Sequence, residues 1–442
     1  MNMNKTVALH TLGCKLNFSE TAAIADQFIK NGFSVIDFDK KADVYVFNTC
    51  TVTENAEKEC RQIVRRALRI NPDAYVIVTG CYAQLRPEEI SAIDGVNAVL
   101  GSNEKFKVFE ILNDFNKTDM SCVFVSPTEN LNGFGKAVSN ENVNRTRAFF
   151  KVQDGCDYKC SFCTIPLARG KSRSMEMGEL IKEFKKIIND GYKEVILTGV
   201  NVGDYKNNSG DNLLSVLKNL IKIDGDFRIR ISSIEPNLLL DEIIYLTAES
   251  EKLCKHFHIP LQSGSNEILK RMQRRYTIED YKNLINKIKN LMPQAGIGVD
   301  VIVGFPGETD ELFEETYNFL SNLPFSYLHV FTYSERPFTK AKSMSGKVPV
   351  EVRKKRNNSL RTLSDIKKNS FYNSLLGTTQ RVLFESDNNN GIIKGFTSNY
   401  VRVACKFNSD FINTFQEIHL TEVKDDLVIG EAVETNNYFA IK

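Results

Sequence analysis

Three apolar runs near the start of this chain each stop close to a cysteine: VALHTL before Cys14, DVYVFNT before Cys50 and AYVIVTG before Cys81. Between them lie segments of helical period, one from about Ser19 to Lys30 stopped by Gly32, the next from Glu54 to Ile70 ended ahead of Pro72. Strand and helix in alternation predict an α/β domain built on a doubly wound parallel sheet, with helices on both faces. Each cysteine then falls one or two residues past the C-terminal end of a strand. In such sheets the carboxyl ends of the strands form the ligand crevice, so three thiols distant in sequence converge there.

Three more of the ten cysteines, Cys156, Cys160 and Cys163, are packed into DGCDYKCSFCTIP, directly after the apolar run RAFFKVQ. Three thiolates are one short of a closed metal site. Structural zinc and ordinary iron-sulfur clusters take four protein ligands, so each trio implies a centre with one position open to something that reacts. Zinc would want a fourth Cys or a His, and none of the five histidines (His10, His256, His258, His329, His419) lies in this segment. Phe162, just before the last cysteine, is placed either to pack beside whatever fills the open position or to serve as a plain core aromatic. Cys60, Cys122, Cys254 and Cys405 have no partner spacing and read as buried spectators.

No run approaches the roughly 18 apolar residues of a membrane span, and the first residues lack the apolar core of a signal peptide. A cytoplasmic protein with no membrane contact is expected, and in that compartment clustered thiols serve as metal ligands or catalytic groups rather than disulfides. The net charge of +2 on 442 residues neither announces nor excludes nucleic acid. Binding of a polyanion would be local: Arg61, Arg65 and Arg69 recur at helical spacing, Lys270, Arg271, Arg274 and Arg275 form a second patch, and Arg353, Lys354, Lys355, Arg356 and Arg361 a third. Solvated helix faces are the other reading of such runs.

Residues 1–120 form the first predicted domain, and 121–141, rich in Asn, Ser, Gly and Pro, read as a linker. Residues 142–370 carry six strand patterns, RAFFKVQ, EVILTG, FRIRISS, HFHIPL, IGVDVIVG and YLHVFTY, with helical segments between. They predict a partial barrel of six βα repeats whose active site lies at the C-terminal ends of the strands. Residues 371–442 turn to short β segments, which predict a small β-barrel or sandwich.

Loops after the barrel strands supply further candidates. Gly199 and Asn201 follow one strand where a cofactor backbone can approach closely, and Gln262, Ser263 and Gly264 occupy an equivalent loop; turn chemistry is the other reading of both. Asp300 sits inside an apolar run, where a carboxylate is costly unless paired, so it bonds either a ligand or a basic neighbour. Arg169 and Arg173 suit a carboxylate or phosphate. Gly304, Pro306 and Gly307 read as a tight turn.

The triplet, with an aromatic before its last cysteine and a partial barrel behind it, resembles the radical S-adenosylmethionine (SAM) superfamily. Over nearly its whole length the chain is similar to the methylthiotransferase family within it. TLGCKLN, FNTCTVT and VTGCYAQ resemble that family's N-terminal cysteine motifs, and LARGKSRS its basic segment. LTGVNVGDY, HIPLQSGSNEILKRMQRRYT and VDVIVGFPGET resemble its later barrel motifs, and GFTSNYVRV its C-terminal TRAM module. The resemblance implies two 4Fe-4S clusters, one on Cys156, Cys160 and Cys163 that binds and cleaves SAM, the other on Cys14, Cys50 and Cys81 carrying the sulfur to be transferred. Gly199, Asn201, Gln262, Ser263, Asp300 and Arg173 are the candidate cofactor contacts by their place and chemistry in the sequence. The resemblance also implies tRNA, an electron donor and a sulfur source as partners. The lysine of TLGCKLN and the form TGVNVGDY resemble the branch acting on N6-threonylcarbamoyladenosine (t6A) beside the anticodon. Isopentenyladenosine in tRNA and an aspartate of a ribosomal protein are the targets of the other branches. A non-catalytic iron-sulfur electron carrier is a different class of reading, which SAM cleavage upon reduction would separate.

Overall fold

The computed structural model describes residues 5–51, 54–112, 114–117, 120–131, 133–138 and 146–433. Strands β1 (Thr6–Thr11), β2 (Ser34–Ile36), β3 (Val44–Thr49), β4 (Tyr75–Gly80), β5 (Ala98–Leu100) and β6 (Cys122–Phe124) form one sheet in the order β2-β1-β3-β4-β5-β6, with every pairing parallel. β3 and β4 are buried along their whole length, which is why they read as unbroken apolar runs rather than alternations. On one face Tyr45, Phe47, Val76 and Val78 pack with Val64 and Ala67 of helix α2 (Glu54–Ile70). On the other Val44, Val46 and Ile77 pack with Ile24 and Phe28 of helix α1 (Lys15–Lys30). The expected doubly wound sheet is therefore present. Part of the stretch read as a linker, Cys122–Phe124, is its sixth strand.

The chain leaves β1 toward β2 and returns on the other side to β3, so the strand order reverses between β1 and β3. Such a reversal splays the connecting loops apart and opens a crevice at the carboxyl ends of the two strands.

The central unit begins with β7 (Arg147–Lys151), followed by a short antiparallel pair, β8 (Gln153–Asp154) with β9 (Arg173–Ser174). Then come β10 (Glu194–Thr198), β11 (Arg228–Ile231), β12 (His256–His258), β13 (Gly296–Val303) and β14 (Tyr327–Thr332). β7, β10 and β11 pair in parallel, as do β12, β13 and β14, and the parallel bridges Ile229–Leu253 and Ser233–His258 join the two triplets. All six predicted strands are present as an open half-barrel, its core built from Val195, Leu197, Ile229, Ile259 and Val299 against Phe184, Leu217 and Ile285.

The C-terminal segments, β15 (Thr379–Asn389), β16 (Ile392–Thr397), β17 (Arg402–Lys406), β18 (Phe415–Lys424) and β19 (Leu427–Ala432), close into a barrel in the order β15-β16-β17-β19-β18. Closure leaves no unpaired edge and decides between the two expected forms in favour of the barrel. The turn between β16 and β17 enters the amino-terminal end of the half-barrel. Ser398 Oγ accepts from Lys255 N at 3.0 Å, and Asn399 Nδ2 donates to Gln294 O at 2.8 Å. Tyr400 Oη donates to Glu194 Oε1 at 2.5 Å, with its ring 3.5 Å from the Arg230 guanidinium carbon. Glu194 begins β10, so this turn seals the bottom of the half-barrel and leaves the carboxyl ends of its strands as the mouth. Among the described residues no helix is long and apolar enough to cross a membrane.

Candidate active site

Cys50 and Cys81 follow β3 and β4 directly, while Cys14 lies three residues past β1, slightly further than expected. Two glycines let the three loops meet. Gly13 adopts φ +103° and lies so close to Cys50 that a Cβ on it would stand 2.9 Å from the Cys50 sulfur. Gly80, at φ +98°, passes the backbone of β3 so tightly that its Cβ would stand 2.3 Å from Thr49 O. L-residues rarely adopt that backbone, and the space is already taken. Asn17 ties the loops together, donating from Nδ2 to Leu12 O at 2.9 Å and to Thr49 O at 3.1 Å. Its Oδ1 lies 3.9 Å from Cys14 Sγ. Burial raises the Cys14 thiol pKa, opposed by the positive charge of Arg169, and Cys81 is near enough to act on it as well.

The second trio sits above β7. Tyr158 N donates to Cys156 Sγ and Ile165 N to Cys163 Sγ, both at 3.4 Å, while Arg274 Nη1 donates to Cys160 Sγ at 3.1 Å. Burial pushes the Cys156 thiol up to about 11 and the Cys163 thiol up to about 12. All three sulfurs thus have a donor that favours the thiolate once an electrophilic centre displaces the proton.

Arg169 joins the two halves. It is fully buried at the end of helix Ile165–Arg169, just beyond the triplet. Nη1 donates to Glu20 Oε1 at 2.9 Å and to Asp154 Oδ1 at 3.0 Å, and Nη2 to Asn17 Oδ1 at 2.7 Å and to Glu20 Oε2 at 2.9 Å. Lys105 and Lys151 complete the pairing of Glu20, at 2.6 Å and 3.0 Å. Burial alone would raise the Glu20 pKa, but Arg169, Lys105 and Lys151 outweigh it and hold the carboxyl well below its usual range. Glu20 and Asn17 belong to α1, Lys151 and Asp154 to the half-barrel, so this buried network fixes one domain on the other.

A cleft of ≈ 230 Å³ opens beside the second trio, walled by Phe162, Cys163, Thr164 and Ile165 on one side and by Gln262, Asp300, Ile302, Tyr333 and Arg336 on the other. Arg336 Nη2 donates to Thr51 Oγ1 at 3.0 Å, beside Cys50. The far wall of the cleft is therefore bonded to the loop that carries Cys50. Cys14 and Lys15 keep accessible surface although protein surrounds them: burial, with the charge of Arg230, pushes the Lys15 ammonium down to about 7.

Of the residues expected at a cofactor, Gln262 and Asp300 line this cleft. Gln262 holds φ +70°, a strained backbone for a side chain of its size, and Asp300 Oδ1 meets His258 Nε2 at 2.7 Å. Asn201 is buried with both side-chain polar atoms lacking a partner among the described residues. Its loop is tied to the triplet by Gln153, whose Oε1 accepts from Asn201 N at 2.9 Å and whose Nε2 donates to Gly155 O at 2.8 Å. The close approach at Gly199 is to Gln153 itself. Ser263 turns away, its hydroxyl 3.4 Å from Thr316 Oγ1, and Gly264 lies against the Thr316 backbone. Arg173 is spent on Asp154 and on the Gly133, Arg169 and Lys171 carbonyls, so it belongs to the junction network and not to the cleft wall. Gly304 and Gly307 accommodate Arg353 and Arg271, and Pro306 O accepts from Arg271 Nε at 3.0 Å.

Two of the three basic patches are absorbed in part, while Lys270, Arg275, Lys354, Lys355 and Arg361 stay exposed. Arg274 pairs with Glu235 and Cys160, and Arg271 with loop carbonyls. Arg356 pairs with Glu308 and Asp310, and Arg353 donates to Val348 O and Tyr333 O. The Lys270–Arg275 stretch is thus no continuous cationic surface, because Arg271 and Arg274 point inward. Arg61, Arg65 and Arg69 remain an exposed face of α2. Arg336, Glu20 and Glu235 escaped the sequence reading. Only Glu20 left a trace, as a carboxylate on the apolar stripe of α1 that also carries Ile24 and Phe28.

The sequence model of the radical SAM superfamily matches residues 150–320, and that of "Uncharacterized protein family UPF0004" matches residues 6–101. The chain is 42% identical over 421 residues to a Bacillus subtilis protein named threonylcarbamoyladenosine tRNA methylthiotransferase MtaB, covering 94% of this chain and 93% of the relative. The chain belongs to the methylthiotransferase family. A second methylthiotransferase of the same name, from Aquifex aeolicus, is 40% identical, with 90% of this chain and 96% of the relative covered. Among solved structures, the radical SAM methyltransferase TsrM from Kitasatospora setae, with cobalamin and a [4Fe-4S] cluster bound, superposes at a TM-score of 0.55. It covers 77% of each chain at 16% identity, a likeness of fold alone.

Proposed function

We propose that this chain adds a methylthio group to C2 of N6-threonylcarbamoyladenosine next to the anticodon of tRNA. The observation that carries the reading is the cleft that reaches from Cys163 to Arg336, whose guanidinium is bonded to Thr51 beside Cys50, because a transfer needing two centres needs them held near one space. The relatives named as threonylcarbamoyladenosine tRNA methylthiotransferases reach 42% and 40% identity, against 33% for one named tRNA-2-methylthio-N(6)-dimethylallyladenosine synthase over a similar span, so isopentenyladenosine and a ribosomal-protein aspartate are not favoured as targets.

The donor sets fit two open 4Fe-4S clusters. Each trio offers three thiols and no histidine, Arg274 and two backbone N–H groups face the sulfurs of Cys156, Cys160 and Cys163, and Arg169 places its charge beside Cys14 and Cys81. When bound, the clusters and SAM supply the radical that activates the C–H bond and the sulfur and methyl group that replace the hydrogen. The unpartnered amide of Asn201 has the donor and the acceptor that the zwitterionic end of SAM would satisfy, and Gln262 and Asp300 line the remaining wall. The sealed bottom of the half-barrel excludes water from below, and Arg336 holds the loop of Cys50 at the cleft. In this reading residues 1–120 hold the sulfur-carrying centre, 142–370 the SAM site, and 371–442 an RNA-contacting module. An external electron donor and a sulfur source are required partners. An adenosine in an anticodon loop is already weakly stacked, so presenting it costs less than flipping a base out of a duplex.

The test is nucleoside mass spectrometry on tRNA incubated anaerobically with the iron- and sulfide-reconstituted protein, SAM and a reductant. A methylthio increment on t6A alone is the expected result. An increment on isopentenyladenosine alone, or SAM cleavage with neither nucleoside changed, overturns the reading.

A further inference from the structure

The segment from Arg336 to Ala341 crosses from one cysteine trio to the other. Arg336 Nη2 is bonded to Thr51 Oγ1 at 3.0 Å, beside Cys50, and Ala341 N donates to Ser161 O at 2.8 Å, between Cys160 and Cys163. Between these anchors the chain turns: Thr339 N and Oγ1 both donate to Arg336 O, at 3.4 Å and 2.8 Å, with Pro337 and Phe338 at the corner. Proline suits the first corner position, and the second needs a positive φ that glycine supplies freely, yet it is filled by Phe338 at φ +66°. Burial does not offset the strain, since Phe338 is 73% exposed. A turn selected for stability alone carries glycine there; bulky outliers that persist in the open occur where a ligand is held. The surroundings are cationic. From Ser334 to Lys347 one acid, Glu335, stands against Arg336, Lys340, Lys342 and Lys347. Glu335 is paired with Lys347 at 3.1 Å, while Lys340 and Lys342 are exposed and form no ion pair among the described residues.

Resting on the function proposed above, we propose that Phe338 is the stacking platform for a base flanking the modified adenosine in the anticodon loop, with Lys340 and Lys342 on the adjoining phosphates. A solvent-facing ring beside unpaired ammonium groups is the chemistry that holds single-stranded RNA, because every base has a face to stack and every nucleotide an anion to meet. The modified base enters the cleft that Arg336 lines, so its neighbours in the strand pass the Arg336–Ala341 segment. Drawing one base out of a loop unstacks the next, and Phe338 restores a partner to it. Pro337 and the two anchors hold the ring in place beforehand, so little order is lost on binding.

The experiment titrates t6A anticodon stem-loops, intact or with an abasic site on the 5′ or the 3′ side of t6A, against the reconstituted wild-type protein, Phe338→Gly and Phe338→Trp, with methylthiolation followed on the intact loop. The wild type is expected to bind the intact loop about 5- to 100-fold more tightly than one of the two abasic loops, the range for stacking of one base. Phe338→Gly should lose that preference while its urea midpoint stays level or rises, because glycine relieves the left-handed backbone. The chain has no tryptophan, so Phe338→Trp gives a single reporter, whose emission should be quenched by the intact loop and less by that abasic loop. Retention of the wild-type preference by Phe338→Gly overturns the proposal, as does equal binding of all three loops by the wild type. If Phe338→Gly loses stability, emission of Phe338→Trp that the intact loop leaves unchanged overturns it instead. These comparisons bear on the proposal alone. Absence of methylthiolation on the intact t6A loop by the wild type overturns the functional reading, and this proposal with it.

Discussion

Arg274 donates from one arm to the Cys160 sulfur and pairs through the other with the half-buried carboxylate of Glu235. Its replacement by Met keeps the aliphatic stem but leaves the partly exposed Glu235 without its cation. The expected outcome is iron content falling toward about half in the reconstituted protein, as one of two 4Fe-4S centres is lost, with SAM cleavage gone, checked by iron and sulfide assay together with product analysis. Gly80 makes the complementary case. Gly80→Ala demands a left-handed backbone and puts a methyl group against Thr49 O, whereas Gly191→Ala demands the same backbone, at φ +94°, in open space. Urea denaturation should show Gly191→Ala losing about 1–2 kcal/mol and Gly80→Ala losing more, with iron content reduced only in the latter. The sequence displayed both cysteine trios because thiols at strand ends and at short spacing are local signals. It did not display Arg274 as a neighbour of the Cys160 sulfur, since a run of four cations looks the same whether its members face water or a thiol.

At the level of elements, α1 does the joining. Asn17, Glu20, Ile24 and Phe28 share its inner stripe, so the helix buries its apolar end on the sheet and its polar end on the half-barrel. Glu20→Gln leaves Lys105 without a carboxylate partner and Arg169 and Lys151 with Asp154 alone, and chemical denaturation should show a loss of about 3–5 kcal/mol at neutral pH. The pH dependence has a definite sign. Because the folded pKa of Glu20 is depressed, its contribution is complete above the unfolded value near ~4.3 and is lost as pH falls toward the folded value. The gap between wild type and Glu20→Gln should be flat above about pH 5 and shrink below about pH 4. Helix α2 carries the exposed arginines Arg61, Arg65 and Arg69, which we assign to the RNA backbone. Arg65→Glu should weaken tRNA binding and reduce the salt slope by about one unit; an unchanged slope would remove this helix from the interface. The strands and helices were legible because apolar periodicity specifies them. The Glu20 network was not, because its members come from four separated segments that only the docking of two domains brings together.

On the scale of the molecule, the half-barrel is covered at one end by the doubly wound sheet and plugged at the other by the Ser398–Tyr400 turn. Tyr400→Phe removes the hydroxyl that donates to Glu194 and should cost about 1.5–3 kcal/mol in chemical denaturation, the range for a bond to a charged group. Three units were foreseeable from the change of pattern along the chain. Their mutual placement was not, because Tyr400 in a polar turn reads as a surface residue until its ring is found on Arg230. That turn carries a consequence for scale. A module held by a tether samples many distances from the chemistry, but one bolted through Tyr400, Asn399 and Ser398 to the floor of the half-barrel stands at a single distance from the cleft above. Any RNA that touches both must match that span, so the protein acts as a calliper, and the length of the helix between the two contacts becomes something it measures.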